Sequence, residues 1–379
     1  MASSARGRAA RWLVPIAVAL AIGLLGFVPT LSSAATPDLP ALSAQQLIAK
    51  VQQDDVKAFS GTVRLTTDLG IPDLGSLQQA SGNSTGFNPL TLLSGAHDAH
   101  VKVAGRDRQQ LTMAEGLSET DVYRDGQNAW TWESDGQKVT HLILPAHDTN
   151  SDKAGTAEAT APTEPMPTPD DLAKRLLDRI TPSTAVSVTT PAYVADEPVY
   201  ELVLAPHSAD STVDHVGIAV DAAKGFPLQV TVWAKGQEKP ALELGFTSID
   251  FSTPSGPFTF TPPKGATVTT KDLTRHHDDA TDQAQSGATI PEQRPDGAPD
   301  ANQGTGGDTT TVGQDWTQVV IAKDVKLPPQ AHDLWEATTP VSNGRLLQTK
   351  LVNVIFLDDG QVVAGFVKPA ALEAAVLHG

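Results

Sequence analysis

Residues 225–251, GFPLQVTVWAKGQEKPALELGFTSIDF, decide the fold class of this chain. Apolar and polar residues alternate on both sides of a polar turn that contains glycine, which predicts two strands joined by a tight connection. Residues of one parity share a face of a strand. The apolar face predicted in this way comprises Val230, Val232, Leu242, Leu244 and Phe246. Because the stretch carries no acid–base pair and no phosphate-binding loop, this face predicts either a packed core or the wall of an apolar cavity.

Similar alternating runs fill residues 98–144 and 185–261, and the pairs Asp125-Gly126 and Asp135-Gly136 are typical of hairpin turns. Alternation sustained over about ten or eleven strands indicates burial on one face only, and therefore an antiparallel, strongly curved sheet of the α+β class. A widely curved sheet covered by few helices can leave a lined cavity.

Two helices are predicted beside this sheet. Apolar spacing over residues 41–59 predicts a helix that starts at the N-cap Ser43 and continues to Phe59, with Gly61 ending it. The second, in residues 168–180, has Thr168 as N-cap and Pro169 as its first residue.

Composition excludes several classes of function. The chain has 27 Lys+Arg against 44 Asp+Glu, a net charge of −17, and this field would repel nucleic acid. It has no cysteine, which removes disulfides, thiolate metal sites and thiol nucleophiles.

The N-terminus predicts export. Arg6, Arg8 and Arg11 precede an uncharged apolar run and a group of small residues, the three parts of an export signal. Residues 1–35 are therefore interpreted as either a cleaved signal peptide or a retained membrane anchor. In both cases the rest of the chain would act outside the cytoplasmic membrane, secreted or anchored to it.

The remaining chain is predicted to divide into three parts. Residues 36–269 would form the main sheet domain, and residues 270–312 an acidic linker too poor in apolar side chains to fold. Residues 313–379 would form a small C-terminal α/β module, made of a strand, a hairpin that turns at Asp359-Gly360, and a short helix. Such a module is marginal alone and should dock on the main domain, on a second copy or on a partner.

Side chains suited to catalysis are sparse. His97, Asp98 and His100 could bind a metal weakly, although solvated polar residues are the better interpretation, and the cluster at 276–279 lies in the predicted linker. No zinc-protease, nucleophile-elbow or P-loop motif occurs. We therefore expect a protein that is not an enzyme and needs neither metal nor cofactor.

Several ordered motifs resemble one family. VYRDGQNAWTW at 122–132 and the FSGTVRL strand at 59–65 are similar to segments of the LolA/LolB/RseB-like superfamily of exported lipoprotein carriers and regulators. The resemblance is stronger over 220–266, where a VD–GFPL strand start, an F–I–F strand and a closing FTFTPPKGA follow in the family's order. It covers roughly residues 41–268, and the linker and C-terminal module look like those of actinobacterial exported members.

This resemblance implies an open half-barrel wrapped over helices, an apolar cavity for acyl chains, and no catalysis. Arg106 or Arg108 would correspond to an arginine that helps carriers to release cargo, and the sequence does not choose between them. The candidate cavity residues are Val63, Leu65, Leu111, Met113, Trp130, Trp132, Val230, Val232, Leu242, Leu244 and Phe246.

The leading hypothesis is a carrier-like binding protein for a lipid or a lipoprotein acyl chain. The first alternative is an RseB-like regulator of envelope stress that binds a membrane anti-sigma factor. The second is an anchored scaffold with a filled core and no ligand, which the volume of the cavity would distinguish. The partner recovered in a pull-down distinguishes the carrier from the regulator. A membrane anti-sigma factor would indicate the regulator, whereas an ABC transporter or a lipoprotein would indicate the carrier.

Overall fold

The computed structural model describes residues 36–71, 89–115, 118–145, 168–274, 309–323, 325, 335 and 337–378. These residues form one large sheet of twelve strands and a smaller sheet of six, accompanied by three α-helices. The predicted signal or anchor at 1–35 lies outside the described residues. Within the described ranges, no helix is long and apolar enough to cross a membrane.

The large sheet is built from two groups of strands. The first group is β1 (Ala58–Asp68), β2 (Ser94–Ala104), β3 (Arg108–Glu115), β4 (Ser118–Asp125), β5 (Asn128–Glu133) and β6 (Lys138–Ile143). The second group is β7 (Thr184–Val194), β8 (Glu197–Pro206), β9 (Val213–Asp221), β10 (Pro227–Ala234), β11 (Leu242–Asp250) and β12 (Thr267–Asp272). The two groups meet where β1 pairs with β11 and again where β12 pairs with β6, so long-range pairings hold them in one sheet.

The strand order is β12-β6-β5-β4-β3-β2-β1-β11-β10-β9-β8-β7. Neighbouring strands are antiparallel except at one edge, where β12 runs parallel to β6. The described strands form a curved sheet that does not close on itself, which confirms the predicted α+β fold with an open, antiparallel half-barrel.

The β1–β11 pair contains a bulge between Thr62 and Val63, a feature that bends a strand and increases its twist. Next to this bulge, a Cβ atom on Gly61 would collide with the carbonyl oxygen of Ser248. Glycine therefore permits the close approach of these two strands. The structure places Gly61 inside β1, so the prediction that it ends a helix is wrong.

Two helices pack on the same face of the large sheet, and this face is the inner face. They are α1 (Ala44–Gln52), with the predicted N-cap Ser43, and α2 (Pro169–Leu177), with the predicted N-cap Thr168 and proline at its first position. Leu47 and Val51 of α1 and Ala173 and Leu177 of α2 are buried in the core with residues of β8, β9 and β10. The inner face over these strands is thus filled by helical side chains.

The C-terminal module forms its own sheet and core. Its strands are β13 (Thr309–Val312), β14 (Val319–Ala322), β15 (Thr339–Val341), β16 (Gly344–Gln348), β17 (Asn353–Leu357) and β18 (Val362–Gly365), and α3 spans Pro369–His378. Ile355, Val363 and Leu372 are at the centre of its core. The predicted hairpin turn at Asp359-Gly360 joins β17 to β18, as expected.

This module docks on the large sheet. Leu351 belongs to the module by sequence, yet it is buried in the core of the large sheet, with 3% of its surface exposed. Trp316 Nε1 donates to Thr184 Oγ1 at 2.7 Å, and the Lys350 amide donates to the Leu69 carbonyl at 2.8 Å. The sequence left open whether the module docks on the main domain, on a second copy or on a partner. The structure shows it docked on the main domain.

Two strands reach beyond the predicted domain boundaries. β12 continues past residue 269 to Asp272, and β13 begins at Thr309, so both ends of the predicted linker 270–312 carry strand structure. The residues from 275 to 308 lie outside the described part of the chain. The division into domains otherwise stays a prediction.

The two edge strands of the large sheet have distinctive sequences. β7 contains Pro191, and its pairing with β8 is irregular between Thr189 and Ala192. At the other edge, β12 reads TVTTKD, and its first five residues are exposed.

Candidate functional site

A cavity of about 850 Å³ lies between strands β2–β6 and helix α2. Its apolar lining comes from the inner face of the strands and includes Val101, Val103, Leu111, Val122, Ala129 and Leu142. Phe59 and Phe226 close it on the side of the filled core. The volume falls within the range of about 300–1,000 Å³ that is typical of small-molecule sites.

Strand register explains why these side chains converge. Val101 pairs with Leu111, and Leu111 pairs in turn with Val122, so these three share one face across β2, β3 and β4. Ala129 and Leu142 pair across β5 and β6 and extend the same face. The alternation of the strands therefore produces a continuous apolar surface.

The opposite wall of the cavity is polar and charged. Lys174 of α2 places its Nζ 2.8 Å from Asp54 Oδ2 and 3.0 Å from Asp170 Oδ1. The Asp54 side chain is 2% exposed, whereas that of Lys174 is 45% exposed. Asp54 lies in the connection between α1 and β1, so the lysine joins that connection to α2.

Burial and charge shift the ionisation of this cluster. Burial raises the pKa of Asp170 to about 6, and the neighbouring Lys174 offsets only part of that increase. For Lys174, burial opposes the charged form, but the hydrogen bond to Asp54 and the charge of Asp170 outweigh it and raise the pKa. The lysine therefore remains charged, and the acids beside it balance its charge.

Helix α2 holds these groups in position. The Thr168 hydroxyl accepts from the Asp171 amide at 3.2 Å, and Asp171 Oδ2 accepts from the Thr168 amide at 3.1 Å. This reciprocal capping box fixes the first turn, which carries Asp170 into the cavity wall.

The structure separates the two candidate arginines. Arg106 lines the cavity, together with Arg124, which lies 3.5 Å from Asp107, and Arg175. Arg108 instead lies 5.8 Å from the centre of the Phe258 ring and does not line the cavity. Of the two, only Arg106 is placed where it could contact a bound ligand.

Most of the predicted cavity residues belong to the filled core. Of the eleven, Leu111 alone lines the cavity. Those that are buried in the core are Val63, Leu65, Met113, Val230, Leu244 and Phe246, while Val232 and Leu242 are half-buried against it. Helix α2 packs on β10 and β11, and Phe59 and Phe226 lie in the adjoining core, so most of these residues contact other side chains. Contact of these residues with a ligand stays a prediction.

Trp130 and Trp132 share a face, as predicted, but it is the outer face. The intervening Thr131 pairs with the inward-facing Val122, so both tryptophans point the opposite way. Trp130 stacks on His141 with 3.7 Å between ring centres, and Phe260 packs against Trp130 and Trp132 at 5.9 and 6.5 Å. They support the outside of the cavity wall and do not line it.

The inward residues that sequence reasoning missed are Val101, Val103, Val122 and Leu142. A signal for them existed, since Val101 and Val103 alternate within the run DAHVKVAG and share their parity with Leu111 through the hairpin. In β5 the inward-facing residues are Ala129 and Thr131, whereas the predicted Trp130 and Trp132 have the opposite parity.

The His/acid cluster does not form a metal centre. Asp98 forms a bidentate pair with Arg64 at 2.7 Å, and His100 Nδ1 lies 3.0 Å from Thr62 Oγ1. His97 Nε2 instead lies 2.9 Å from the Ser94 carbonyl. Across the described ranges, no group of three potential ligands could hold a metal ion. Residues 276–279 lie outside them.

Comparison with known proteins gives likenesses in structure only. No family model matches the chain, and no curated protein matches it. Among solved structures, the chain is similar to the MucA/MucB complex of Pseudomonas aeruginosa, with 14% identity, a TM-score of 0.38, and coverage of 87% of this chain and 96% of that one.

Two further similar structures have lower scores. An uncharacterized conserved protein from Thermus thermophilus is 9% identical with a TM-score of 0.32, covering 60% of this chain and 99% of that one. A LolA superfamily protein from Nitrosomonas europaea is 12% identical with a TM-score of 0.21, covering 58% of this chain and 99% of that one. With TM-scores below 0.5, these likenesses say nothing about the function of this chain.

Proposed function

We propose that this chain is a non-enzymatic binding protein that holds the acyl chain of a lipid or lipoprotein in the cavity between β2–β6 and α2. The observation that carries the proposal is the cavity itself, about 850 Å³ bounded by an apolar strand face. In this proposal the acyl chain contacts the apolar residues of the strand face, which are Val101, Val103, Leu111, Val122 and Leu142. No cofactor, metal or nucleic acid takes part.

Burial of methylene groups supplies the affinity. Each CH₂ moved from water into an apolar site contributes about 0.8 kcal/mol, so a long chain is held without any charged contact. The charged wall of Asp54, Asp170 and Lys174 then faces the polar part of the ligand or the solvent at the opening. Arg106, rather than Arg108, is the residue proposed to act in release.

The test is a cavity-filling substitution. Val122→Trp places an indole in the cavity, whereas Val320→Trp adds the same ring to β14, where Val320 is 38% exposed. The full-length chain and both variants are purified from a bacterial envelope, extracted for lipid mass spectrometry and titrated with a fluorescent fatty acid. We expect acyl species and probe binding in the wild type and in Val320→Trp, and a loss of about tenfold or more in Val122→Trp.

Two results would overturn the proposal. The first is a wild-type chain that yields no acyl species and binds no probe. The second is a Val122→Trp variant that unfolds at the wild-type temperature and still binds the probe unchanged, because the ligand would then lie elsewhere.

The location and partners follow from this proposal. The chain would act outside the cytoplasmic membrane, with residues 1–35 as its signal or anchor, and would exchange cargo with a lipoprotein or an ABC transporter. Recovery of a membrane anti-sigma factor in a crosslinked pull-down would instead favour the regulatory role, in which the same cavity acts as a sensor.

A further inference from the structure

A second cleft, of about 500 Å³, lies at the junction of the large sheet and the C-terminal module. It is lined from the large sheet by residues that include Ser211, Thr212 and Lys235, and from the module by Lys350, Asn353 and Lys368. None of these residues lines the cavity between β2–β6 and α2, the acyl cavity of the proposed function. The cleft is therefore separate from the site proposed above.

The charge of this cleft is opposite to that of the whole chain. Three lysines line it and, within the part of the chain that the structure describes, no acidic side chain does. The whole sequence carries a net charge of −17. A basic lining in so acidic a chain concentrates positive potential at one place, which attracts anions.

The lysines are only partly neutralised by their own contacts. Lys350 Nζ lies 2.7 Å from Asp68 Oδ1 and is matched by that charge. Lys235 Nζ donates to the Ser208 carbonyl at 2.8 Å, a neutral group that holds the side chain without balancing its charge. Lys368 directly precedes α3, whose positive N-terminal end adds to the charge of the lysine.

The buried polar groups of the cleft add hydrogen-bond donors. Ser211 is fully buried, and its hydroxyl accepts from the Val213 amide at 3.1 Å, so it can still donate its own O–H. Asn353, 1% exposed, donates from Nδ2 to the Val367 carbonyl at 2.7 Å and accepts from the Thr349 amide at 3.3 Å, so it fixes the module side of the cleft. Lysine charges beside the Ser211 hydroxyl match a tetrahedral oxyanion, which accepts several hydrogen bonds at once.

We propose that the cleft between the large sheet and the C-terminal module binds a phosphate group, through Lys235, Lys350 and Lys368. The lysines come from both halves of the molecule, so a bound phosphate joins the module to the large sheet. The phosphate is either a free anion or the headgroup of an anionic phospholipid, and both present the same oxygens to the lysines.

The experiment titrates the full-length chain with two probes. Inorganic phosphate is followed by isothermal calorimetry and thermal unfolding, with sodium chloride at equal ionic strength to account for screening. Vesicles with and without phosphatidylglycerol are followed by flotation. Lys235→Gln and Lys368→Gln remove one charge each, and Lys102→Gln is the matched control, because Lys102 is an exposed lysine of β2 outside the cleft.

We expect phosphate to raise the unfolding temperature of the wild type and of Lys102→Gln more than sodium chloride does. Each cleft variant should weaken phosphate binding by about tenfold, the usual effect of removing a hydrogen bond to a charged group. If the source is a phospholipid, the same pattern should appear with phosphatidylglycerol vesicles and not with phosphate. Absence of binding in both arms, or equal binding by cleft and control variants, overturns the proposal.

These outcomes are independent of the acyl cavity. The fluorescent fatty acid should bind Lys235→Gln and Lys368→Gln as it binds the wild type, since neither lysine lines that cavity. An unchanged unfolding temperature without phosphate shows that the variants are folded, so lost phosphate binding cannot be attributed to misfolding.

Discussion

At the scale of single residues, Asp170 is the position where burial and charge oppose each other most directly. Burial raises the pKa of its carboxyl from the ordinary 3.8 to about 6. Between these values the folded chain binds more protons than the unfolded chain, so stability must fall as pH rises through this window. Above about pH 6 the carboxylate is charged in both states, and its contribution no longer changes.

Asp170→Asn tests this pH dependence. The amide keeps the shape of the side chain without a charge, so the stability of the variant relative to the wild type should increase as pH rises from about 4 to 7. A pKa raised from 3.8 to about 6 corresponds to about 3 kcal/mol, which is the upper limit expected. Urea unfolding at a series of pH values measures the difference.

The matched control for this experiment is Asp178→Asn, an exposed carboxylate at the other end of the same helix. The free energy of unfolding of the Asp178→Asn variant should vary with pH in the same way as that of the wild type. A constant difference between wild type and Asp170→Asn across the series would contradict the assignment of the titration to Asp170.

At the scale of elements, α2 determines the polar wall of the cavity. Its first turn is fixed by the Thr168 capping box, and the same turn presents Asp170 to Lys174 at the following turn. Loss of the cap should therefore loosen the helix end and the charged wall together.

Thr168→Ala removes the hydroxyl that accepts from the Asp171 amide and should cost about 1 kcal/mol of the free energy of unfolding. Thr168→Ser retains a hydroxyl and should recover most of that loss. Chemical denaturation gives both values, and an alanine variant as stable as the serine variant would show that the cap contributes nothing.

Elements with local causes were predictable from the sequence. The caps Ser43 and Thr168 and the turns at Gly126, Gly136 and Gly360 depend on residues next to each other in the chain, and they lie where they were expected. The end of α1 was not predictable in this way. The apolar spacing continues to Phe59, but pairing of β1 with β2 and β11 makes that segment a strand.

The parallel pairing of β12 with β6 was missed for the same reason, since β6 is distant in sequence and leaves no mark near residue 267. The cavity also depends on contacts between residues that are distant in sequence. Alternation predicted which side chains share a face, but whether a face meets a helix or a cavity depends on where α1 and α2 pack. Val230 and Leu111 have similar sequence patterns, and only Leu111 meets open space.

At the scale of the whole molecule, the two sheets are expected to unfold together. Leu351 comes from the C-terminal module but is buried in the core of the large sheet, and Trp316 and Lys350 add hydrogen bonds across the junction. Interlocked cores give cooperative unfolding, so a single thermal transition is expected in spite of the two sheets.

Leu351→Ala should lower the free energy of unfolding by about 2–5 kcal/mol, the usual cost of a large cavity in a core. It should also separate the transition into two, because the module loses its main apolar contact with the large sheet. Val320→Ala, at a half-exposed position of the module, should change stability by less than about 0.5 kcal/mol. Calorimetry that shows two transitions already in the wild type would refute the coupling.

The two edge strands have a consequence for the protein at high concentration. A sheet that remains open offers unpaired amides and carbonyls at both ends, and such edges can recruit a second chain into a growing aggregate. Pro191 removes a donor from β7, and the irregular pairing beside it disturbs the flat template that another strand would need. At the opposite end, the polar and exposed β12 carries Lys271, whose charge disfavours stacking of identical chains. The half-barrel thus stays open at both edges without becoming a nucleus for fibrils.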